Sequence, residues 1–194
     1  MKDIDFYFDF SSTNSYFAAF LLPEVAARCS AQVNWLPLHA AALFRETGFK
    51  VMAMSARKAR YLWRDHQRWA ESTGLPFRKP SRFPIKTSTA LRCVLAAREK
   101  SMEARFAQAV FRAYWEGDAD IADRKVLADV ARGVSLDGEE LLAASDRPEL
   151  RTELGTVTAT AAERGVFGVP TVFVGEEMFW GKDRLEFIER VLRH

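Results

Sequence analysis

Strand-forming stretches occur only near the two ends of this 194-residue chain, and this distribution restricts the folds that it can adopt. Residues 4–10 (IDFYFDF) are rich in aromatic side chains and residues 32–38 (QVNWLPL) alternate, so each stretch predicts a strand. A helical pattern lies between them, and Pro23 inside it predicts a kink or a break. A strand–helix–strand order predicts a parallel pair joined by a right-handed crossover.

The middle of the chain, from about 39 to 165, shows little strand pattern. Apolar and aromatic residues recur there three and four positions apart, which is typical of amphipathic helices. The predicted helices are 56–73, 87–98, 102–116, 123–132, 137–145 and 148–164. Two strands, 169–175 and 176–181, and a helix over 182–193 close the chain. The order βαβ, helical block, ββα therefore predicts an α/β unit that carries a helical insertion.

Charge and composition exclude several classes of protein. The 28 Lys and Arg against 26 Asp and Glu give a net charge of +2, which argues against a dedicated nucleic-acid or membrane-surface binder. Hydrophobic residues make up 48% of the chain, so disorder is not expected. The two cysteines, Cys29 and Cys93, are far apart, which argues against a disulfide framework, a cysteine zinc site or a dithiol redox centre.

The first residues do not resemble a secretory signal, because acids stand at Asp3, Asp5 and Asp9. The apolar runs are too short to span a membrane. We therefore expect a soluble cytoplasmic protein.

The first candidate site is the segment from Asp9 to Tyr16, where a strand ends in hydroxyl residues at a helix start. Free backbone N–H groups and the helix dipole favour a negative charge there, and a hydroxyl can hydrogen-bond a thiolate or an oxyanion. The simpler interpretation is that one of these residues caps the helix, and spacing alone favours it.

Two further candidates lie near the end of the chain. A cis bond at Val169-Pro170 would turn the backbone of Val169 toward a ligand, although base rates favour an ordinary trans proline. Asp183, at the start of the last helix, either caps that helix or binds an ammonium group, and capping is the favoured interpretation.

Histidine spacing predicts no metal site. His66 stands among Arg64, Asp65 and Arg68, which indicates a solvated helix face. One basic face of the same helix is formed by Arg57, Lys58, Arg60 and Arg64, and such faces are usually just solvated surface.

The element order and four segments together resemble the 2-hydroxychromene-2-carboxylate isomerase family along the whole chain. The segments are 5–16 (DFYFDFSSTNSY), 65–70 (DHQRWA), 168–171 (GVPT) and 179–185 (FWGKDRL). That family shares its fold with kappa-class glutathione transferases and periplasmic disulfide oxidoreductases. The resemblance implies an α/β, thioredoxin-like fold, with a thioredoxin-like domain over 1–38 plus 166–194, an inserted helical domain over 39–165, and a homodimer.

The resemblance implies glutathione as the cofactor. Ser12 would be the catalytic hydroxyl that hydrogen-bonds the glutathione sulfur, at the place of the oxidoreductases' reactive cysteine. Val169, before Pro170, would pair its backbone with the cysteinyl part. Asp183 would hold the γ-glutamyl ammonium group. Its neighbour Lys182 stands where the transferases often have Ser and the isomerases have a polar residue.

Two more residues fit the family's cofactor site. Lys58 matches a lysine that reaches the glycyl carboxylate, and Asp65 matches, more weakly, a residue that reaches glutathione across a dimer interface. At four places the sequence differs from the residues usual in the family: Thr13 replaces Pro, Phe49 replaces Asn, Val51-Met52 replaces Pro-Pro, and Lys86 replaces Asn. These places lie around the pocket for the second substrate, so they bear on which substrate is bound.

An aromatic carboxylate is the implied substrate. Lys58 and Lys86 are candidates for its carboxylate. Four aromatic residues are candidates for a pocket that binds the substrate ring: Phe49, Trp63, Trp69 and Phe83. For each of them, packing in the hydrophobic core is the favoured interpretation.

The implied reaction interconverts 2-hydroxychromene-2-carboxylate and trans-o-hydroxybenzylidenepyruvate, as in naphthalene-type catabolism. It proceeds by reversible thiolate addition, bond rotation and elimination. Two alternatives stay open: a kappa-like transferase that consumes glutathione, and a non-catalytic thioredoxin-fold binding module. A disulfide oxidoreductase is disfavoured because Ser12 and Ser15 stand in place of two cysteines.

Overall fold

A computed structural model describes residues 2–46 and 55–194 of the chain. Its sheet has four strands, β1 (Asp3–Phe8), β2 (Gln32–Pro37), β3 (Thr171–Val174) and β4 (Glu177–Trp180), in the order β2-β1-β3-β4. The first pair is parallel, as predicted, and the β1–β3 and β3–β4 pairs are antiparallel. The two ends of the chain therefore build one sheet.

The central strand β1 is buried on both faces, which explains its aromatic sequence. Ile4, Phe6 and Phe8 point to one face, where Phe6 and Phe8 pack edge-on against Trp35 of β2. Tyr7 points to the other face and meets Phe173 of β3 at 6.0 Å between ring centroids. Alternate side chains of a strand point to opposite faces, so β1 contributes to both hydrophobic clusters of the molecule.

Helices occupy most of the remaining described residues. The six predicted in the middle of the chain are present within one residue or two of the expected bounds. A short helix, α2, was not predicted individually. The helices are α1 (Thr13–Arg28), α2 (Ala40–Glu46), α3 (Ala56–Thr73), α4 (Ser88–Arg98), α5 (Glu103–Trp115), α6 (Arg124–Gly133), α7 (Gly138–Ser145), α8 (Pro148–Glu163) and α9 (Leu185–Arg193).

Of the two outcomes predicted at Pro23, a break is wrong, because α1 runs through this residue without interruption, and a kink stays a prediction. Pro23 has no N–H to donate to the carbonyl of Ala19, four residues earlier. The side-chain amide of Gln108 in α5 donates to that carbonyl instead, at 2.9 Å. A tertiary contact thus satisfies the group that the proline leaves unpaired.

Helices from the middle of the chain cover both faces of the sheet and hold the segments that precede α1 and α2. Trp115 of α5 donates its indole N–H to the carbonyl of Phe10 at 2.9 Å. On the other face, Thr158 of α8 accepts a hydrogen bond from the N–H of His39 at 3.1 Å. The division into a thioredoxin-like domain and an inserted helical domain stays a prediction.

In the part of the chain that the structure describes, no helix is long and apolar enough to cross a membrane. Across the same ranges, no cluster of three or more His, Cys, Asp or Glu side chains is arranged to hold a metal ion.

Candidate active site

Ser12 occupies the N-cap of α1, immediately after the central strand. Its backbone N–H donates to the carbonyl of Asp9 at 3.0 Å, and its Oγ accepts from the N–H of Ser15 at 3.1 Å. The capping interpretation of this segment is therefore confirmed. The same geometry leaves the side chain at the positive end of a 16-residue helix, where an anion is stabilised.

The hydroxyl of Ser12 also donates to the carbonyl of Val169 at 3.1 Å. The Val169–Pro170 bond is cis, as the candidate site at this segment required, and not the trans form that base rates favour. Among the described residues, the Val169 N–H donates no hydrogen bond. The loop is held on both sides, because Thr171 donates to the carbonyl of Gly168 and Gly181 donates to that of Pro170. The backbone of Val169 is thus presented beside Ser12.

The carboxylate of Asp9 fixes the backbone around Ser12 through four hydrogen bonds. Its buried carboxylate accepts from both the N–H and the hydroxyl of Ser11, at 2.9 and 2.8 Å. The second oxygen accepts from the N–H of Ala40 at 2.9 Å and from the hydroxyl of Thr87 at 3.3 Å. One side chain therefore ties the end of β1 to the starts of α1, α2 and α4.

Two cavities meet at Ser12. The first, here called the α3 cavity, has a volume of about 440 Å³ and lies between the start of α1, helix α3 and the loop before α4. The second, the proline cavity, has a volume of about 520 Å³ and lies between α2, that loop and the cis-proline loop. Both are lined by Ser11, Ser12 and Phe83.

The wall of the α3 cavity contains polar and aromatic groups. Its lining includes Asn14, Trp63, His66 and Lys79. The ammonium of Lys79 lies 5.0 Å from the ring centroid of Trp63. Sequence reasoning missed Lys79, since nothing in the spacing distinguishes it from the other basic residues nearby.

His66 does not lie on a solvated face, contrary to the prediction. Its ring is half-buried and packs 5.9 Å from Trp63 and 5.9 Å from Phe77, and its Nδ1 is buried without a hydrogen-bond partner among the described residues. Burial, reinforced by the nearby charge of Lys182, lowers the pKa of His66 from 6.5 to about 4. The imidazole is therefore neutral at pH 7.

Lys182 is buried, and its ammonium donates to Oδ1 of Asn14 at 3.1 Å. Burial lowers the pKa of Lys182, while the carboxylates of Asp65 and Asp183 act in the opposite direction. The next residue, Asp183, is exposed and lies 3.1 Å from the guanidinium of Arg184. Because α9 begins at Leu185 with Arg184 at its cap, the prediction that Asp183 caps this helix is wrong.

The remaining predicted residues are spread around this centre. Lys58 is exposed in the first turn of α3, next to Ala59, which lines the α3 cavity. Asp65, farther along α3, is half-buried. Lys86 is exposed and lines neither cavity as described. Phe49 and Val51-Met52 lie outside the described residues. The basic face is exposed, as predicted, at Arg57, Lys58, Arg60 and Arg64.

The proline cavity is predominantly apolar. Phe83 and Trp180 line it and are 46% and 49% exposed, so neither is a core residue. Phe167 joins them, with its ring centroid 5.2 Å from that of Trp180. Phe83 is a ring-pocket candidate from the sequence, whereas Phe167 and Trp180 are not, because only the folded cis-proline loop brings them into the same cavity as Ser12. Trp69, in contrast, packs against Phe17.

Residues 3–193 match the DSBA-like thioredoxin domain. The chain is also 32% identical, over 197 residues, to the 2-hydroxychromene-2-carboxylate isomerase of Sphingobium xenophagum, with 98% of each protein covered. The chain belongs to the 2-hydroxychromene-2-carboxylate isomerase family. A solved structure of an isomerase with this name has a TM-score of 0.87 at 28% identity, covering 98% of this chain and 94% of that one.

These similarities confirm three predictions from the sequence: the family, the thioredoxin-like α/β fold and the enzyme class, an isomerase. A more distant relative is glutathione S-transferase kappa 1 of Caenorhabditis elegans, 23% identical over 204 residues, with 98% of this chain and 90% of that protein covered. The roles of individual site residues stay predictions.

Proposed function

We propose that this protein is a glutathione-dependent cis–trans isomerase of an aromatic hydroxy or keto acid of the 2-hydroxychromene-2-carboxylate type. The observation that carries the proposal is the position of the Ser12 hydroxyl, which lies at a helix N-terminus, beside the carbonyl of Val169, where two cavities meet. A site with serines at positions 12 and 15 cannot cycle a disulfide. It can hold a sulfur that a ligand brings.

The residues present fit glutathione. The N–H of Val169 has no acceptor among the described residues, and its carbonyl is engaged only by the Ser12 hydroxyl. An extended peptide offers both a carbonyl and an N–H for such a backbone. A hydroxyl has one hydrogen to donate, so Ser12 must turn that hydrogen from the Val169 carbonyl to the sulfur, and a peptide N–H would then donate to that carbonyl in its place.

In this proposal the cofactor lies along the α3 cavity. Lys58 attracts its glycyl carboxylate, and Asp183 holds its γ-glutamyl ammonium group. Asp65 would reach a glutathione molecule bound to the second subunit of a homodimer. Lys58 and Asp183 are both exposed, so their charges are available to a ligand.

The aromatic substrate occupies the proline cavity, whose rings Phe83, Phe167 and Trp180 suit a planar apolar group. Lys86 is exposed shortly after Phe83, and with Lys58 it is a candidate for the substrate carboxylate. Phe49 is a further candidate for the wall of this pocket.

When bound, glutathione would supply a thiol for reversible addition across the conjugated double bond, which would then be single and free to rotate, and elimination would restore both the double bond and the thiol. The chain favours the charged sulfur in two ways. The Ser12 hydroxyl donates a hydrogen bond to it, and the free N–H groups at the start of α1 point toward it. A cytoplasmic location fits this chemistry, since free thiols are kept reduced there.

The deciding experiment is a mass balance with 2-hydroxychromene-2-carboxylate. An isomerase turns over many equivalents of substrate while the concentration of glutathione stays constant. Consumption of one glutathione for each product molecule would instead support a conjugating transferase, the second candidate, which the similarity to the kappa transferase favours. Calorimetry that detects no glutathione binding at millimolar concentration would support a non-catalytic binding module.

A further inference from the structure

Lys182 is a buried cation beside the start of α1. Only 7% of its surface is exposed. Its ammonium donates to Oδ1 of Asn14 at 3.1 Å and lies 4.6 Å from the ring centroid of Trp69. Among the described residues, no carboxylate oxygen lies within 4.0 Å of this ammonium. Asp65 and Asp183 influence it only from farther away.

A cation in this position is unfavourable for the folded protein. Removal of an ammonium from water is energetically unfavourable unless a close anion compensates for it. The face of Trp69 and one amide oxygen offset part of this cost. Burial accordingly lowers the pKa of Lys182. An apolar side chain of similar length would suit the same place better, so stability does not explain the lysine.

The position of Lys182 relative to Ser12 indicates which anion its charge stabilises. Asn14, which holds the ammonium, lines the α3 cavity together with Ser12. The charge therefore lies behind Asn14, at the end of α1 that already carries the positive helix dipole. Two titratable residues of α3 act on this ammonium: His66, which is neutral at pH 7 and adds no competing charge, and Asp65, whose carboxylate attracts the ammonium from a distance, as that of Asp183 does.

We propose that Lys182 lowers the pKa of the glutathione thiol held at Ser12, acting through its electric field across Asn14 rather than by contact. This inference rests on the proposed function. It gives Lys182 a role other than holding the glutamyl end of the cofactor, because its ammonium is turned toward Asn14 and Trp69 and is almost inaccessible.

The test is a pH titration of the thiolate absorbance of glutathione bound to four proteins: wild type, Lys182→Met, Lys182→Arg and Lys125→Met. The Met variant should raise the pKa of the bound thiol by about one unit, as expected for loss of a nearby unit charge at intermediate dielectric. Arg should restore the wild-type value. Lys125→Met removes an exposed charge on α6 and should change nothing.

Two companion measurements separate this role from others. Binding of S-methylglutathione, which has no ionisable thiol, should be the same in wild type and Lys182→Met. The midpoint of thermal unfolding of Lys182→Met should be equal to or higher than that of wild type, because a buried charge is removed. If the Met variant does not fold, Lys182→Gln takes its place.

An unchanged thiol pKa in Lys182→Met overturns the inference but leaves the proposed function intact. Weaker binding of S-methylglutathione with an unchanged thiol pKa would show direct contact with the cofactor instead. Absence of glutathione binding by the wild-type protein would overturn both proposals.

Discussion

The two cavities that meet at Ser12 are built differently. The α3 cavity has Asn14, His66 and Lys79 in its wall, with the buried cation of Lys182 behind Asn14. The proline cavity is lined mainly by rings and by the backbone of the cis-proline loop. Under the proposed function, the α3 cavity receives a charged peptide and the proline cavity an aromatic acid, with the sulfur at the wall that the two cavities share.

The largest effect should follow from a change at that shared wall. Ser12→Ala removes the only side-chain donor proposed for the sulfur, so we expect kcat to fall roughly 100- to 1,000-fold, as for loss of an oxyanion donor. The free energy of unfolding should fall by only about 1 kcal/mol, because one N-cap is lost. Turnover of 2-hydroxychromene-2-carboxylate and chemical denaturation measure the two quantities.

Ser55→Ala is the matched control, since Ser55 caps α3 as Ser12 caps α1, by accepting from the N–H of Lys58. It should lose similar stability and keep its kcat. Unchanged turnover in Ser12→Ala would contradict the assignment and move the role to Ser11 or Ser15.

A change confined to the proline cavity should affect the substrate alone. Phe167→Ala removes a ring that is 42% exposed and free to pack on a ligand, so KM for the aromatic substrate should rise about tenfold. The Kd for glutathione should stay constant. Phe187→Ala removes another exposed ring, on α9, and should alter neither value. A parallel rise in the glutathione Kd of Phe167→Ala would break the separation between the two cavities.

The α3 cavity should carry a pH dependence of stability that the proline cavity lacks. His66 titrates at about 4 in the folded protein and near 6.5 when unfolded, so the unfolded chain binds its proton more readily. The stabilisation is complete above about pH 6.5 and is lost as the pH falls toward 4. Because solvent screens this half-buried site, we expect the free energy of unfolding to fall by only about 1 kcal/mol over this pH range.

His66→Phe tests this directly, because a phenyl ring fits among Phe17, Trp63 and Phe77 and cannot titrate. Denaturation from pH 7 to 4.5 should show a shallower loss of stability in this variant. Equal slopes for the two proteins would show that His66 is not the group responsible.

The smallest effect is expected at the exposed mouth of the α3 cavity. Lys58→Met should raise the Kd for glutathione roughly threefold, and the difference should shrink with added salt, as for exposed charge pairs. Calorimetry at two ionic strengths measures it, with Lys125→Met as the control. A salt-independent loss of affinity would indicate that Lys58 does not act by charge.

Local patterns predicted much of the fold. The sequence predicts helix α3 over 56–73, because apolar and aromatic residues recur there three and four positions apart with charged residues between them. The observed bounds, Ala56–Thr73, are the same. Of the kink or break expected at Pro23, the break does not occur, because local rules contain no information about Gln108, which lies 89 positions beyond Ala19. Short helix α2 has too few residues for a clear period.

The candidate site was predicted unevenly for similar reasons. Ser12 could be predicted because a cap, a strand end and a family motif coincide there. His66 was placed wrongly because its sequence neighbours are charged, whereas its burial depends on Phe77, outside the helix. The cis bond before Pro170 and the approach of Phe167 and Trp180 depend on tertiary packing that no local pattern specifies.

A crystal structure of the protein with glutathione would test the central claim most directly. We expect the sulfur within hydrogen-bonding distance of Ser12 Oγ, the cysteinyl backbone paired with Val169, and the peptide extending along the α3 cavity. Glutathione bound elsewhere, or a sulfur in contact with neither Ser12 nor the start of α1, would contradict the proposal that this fold performs its chemistry with a sulfur supplied by a ligand.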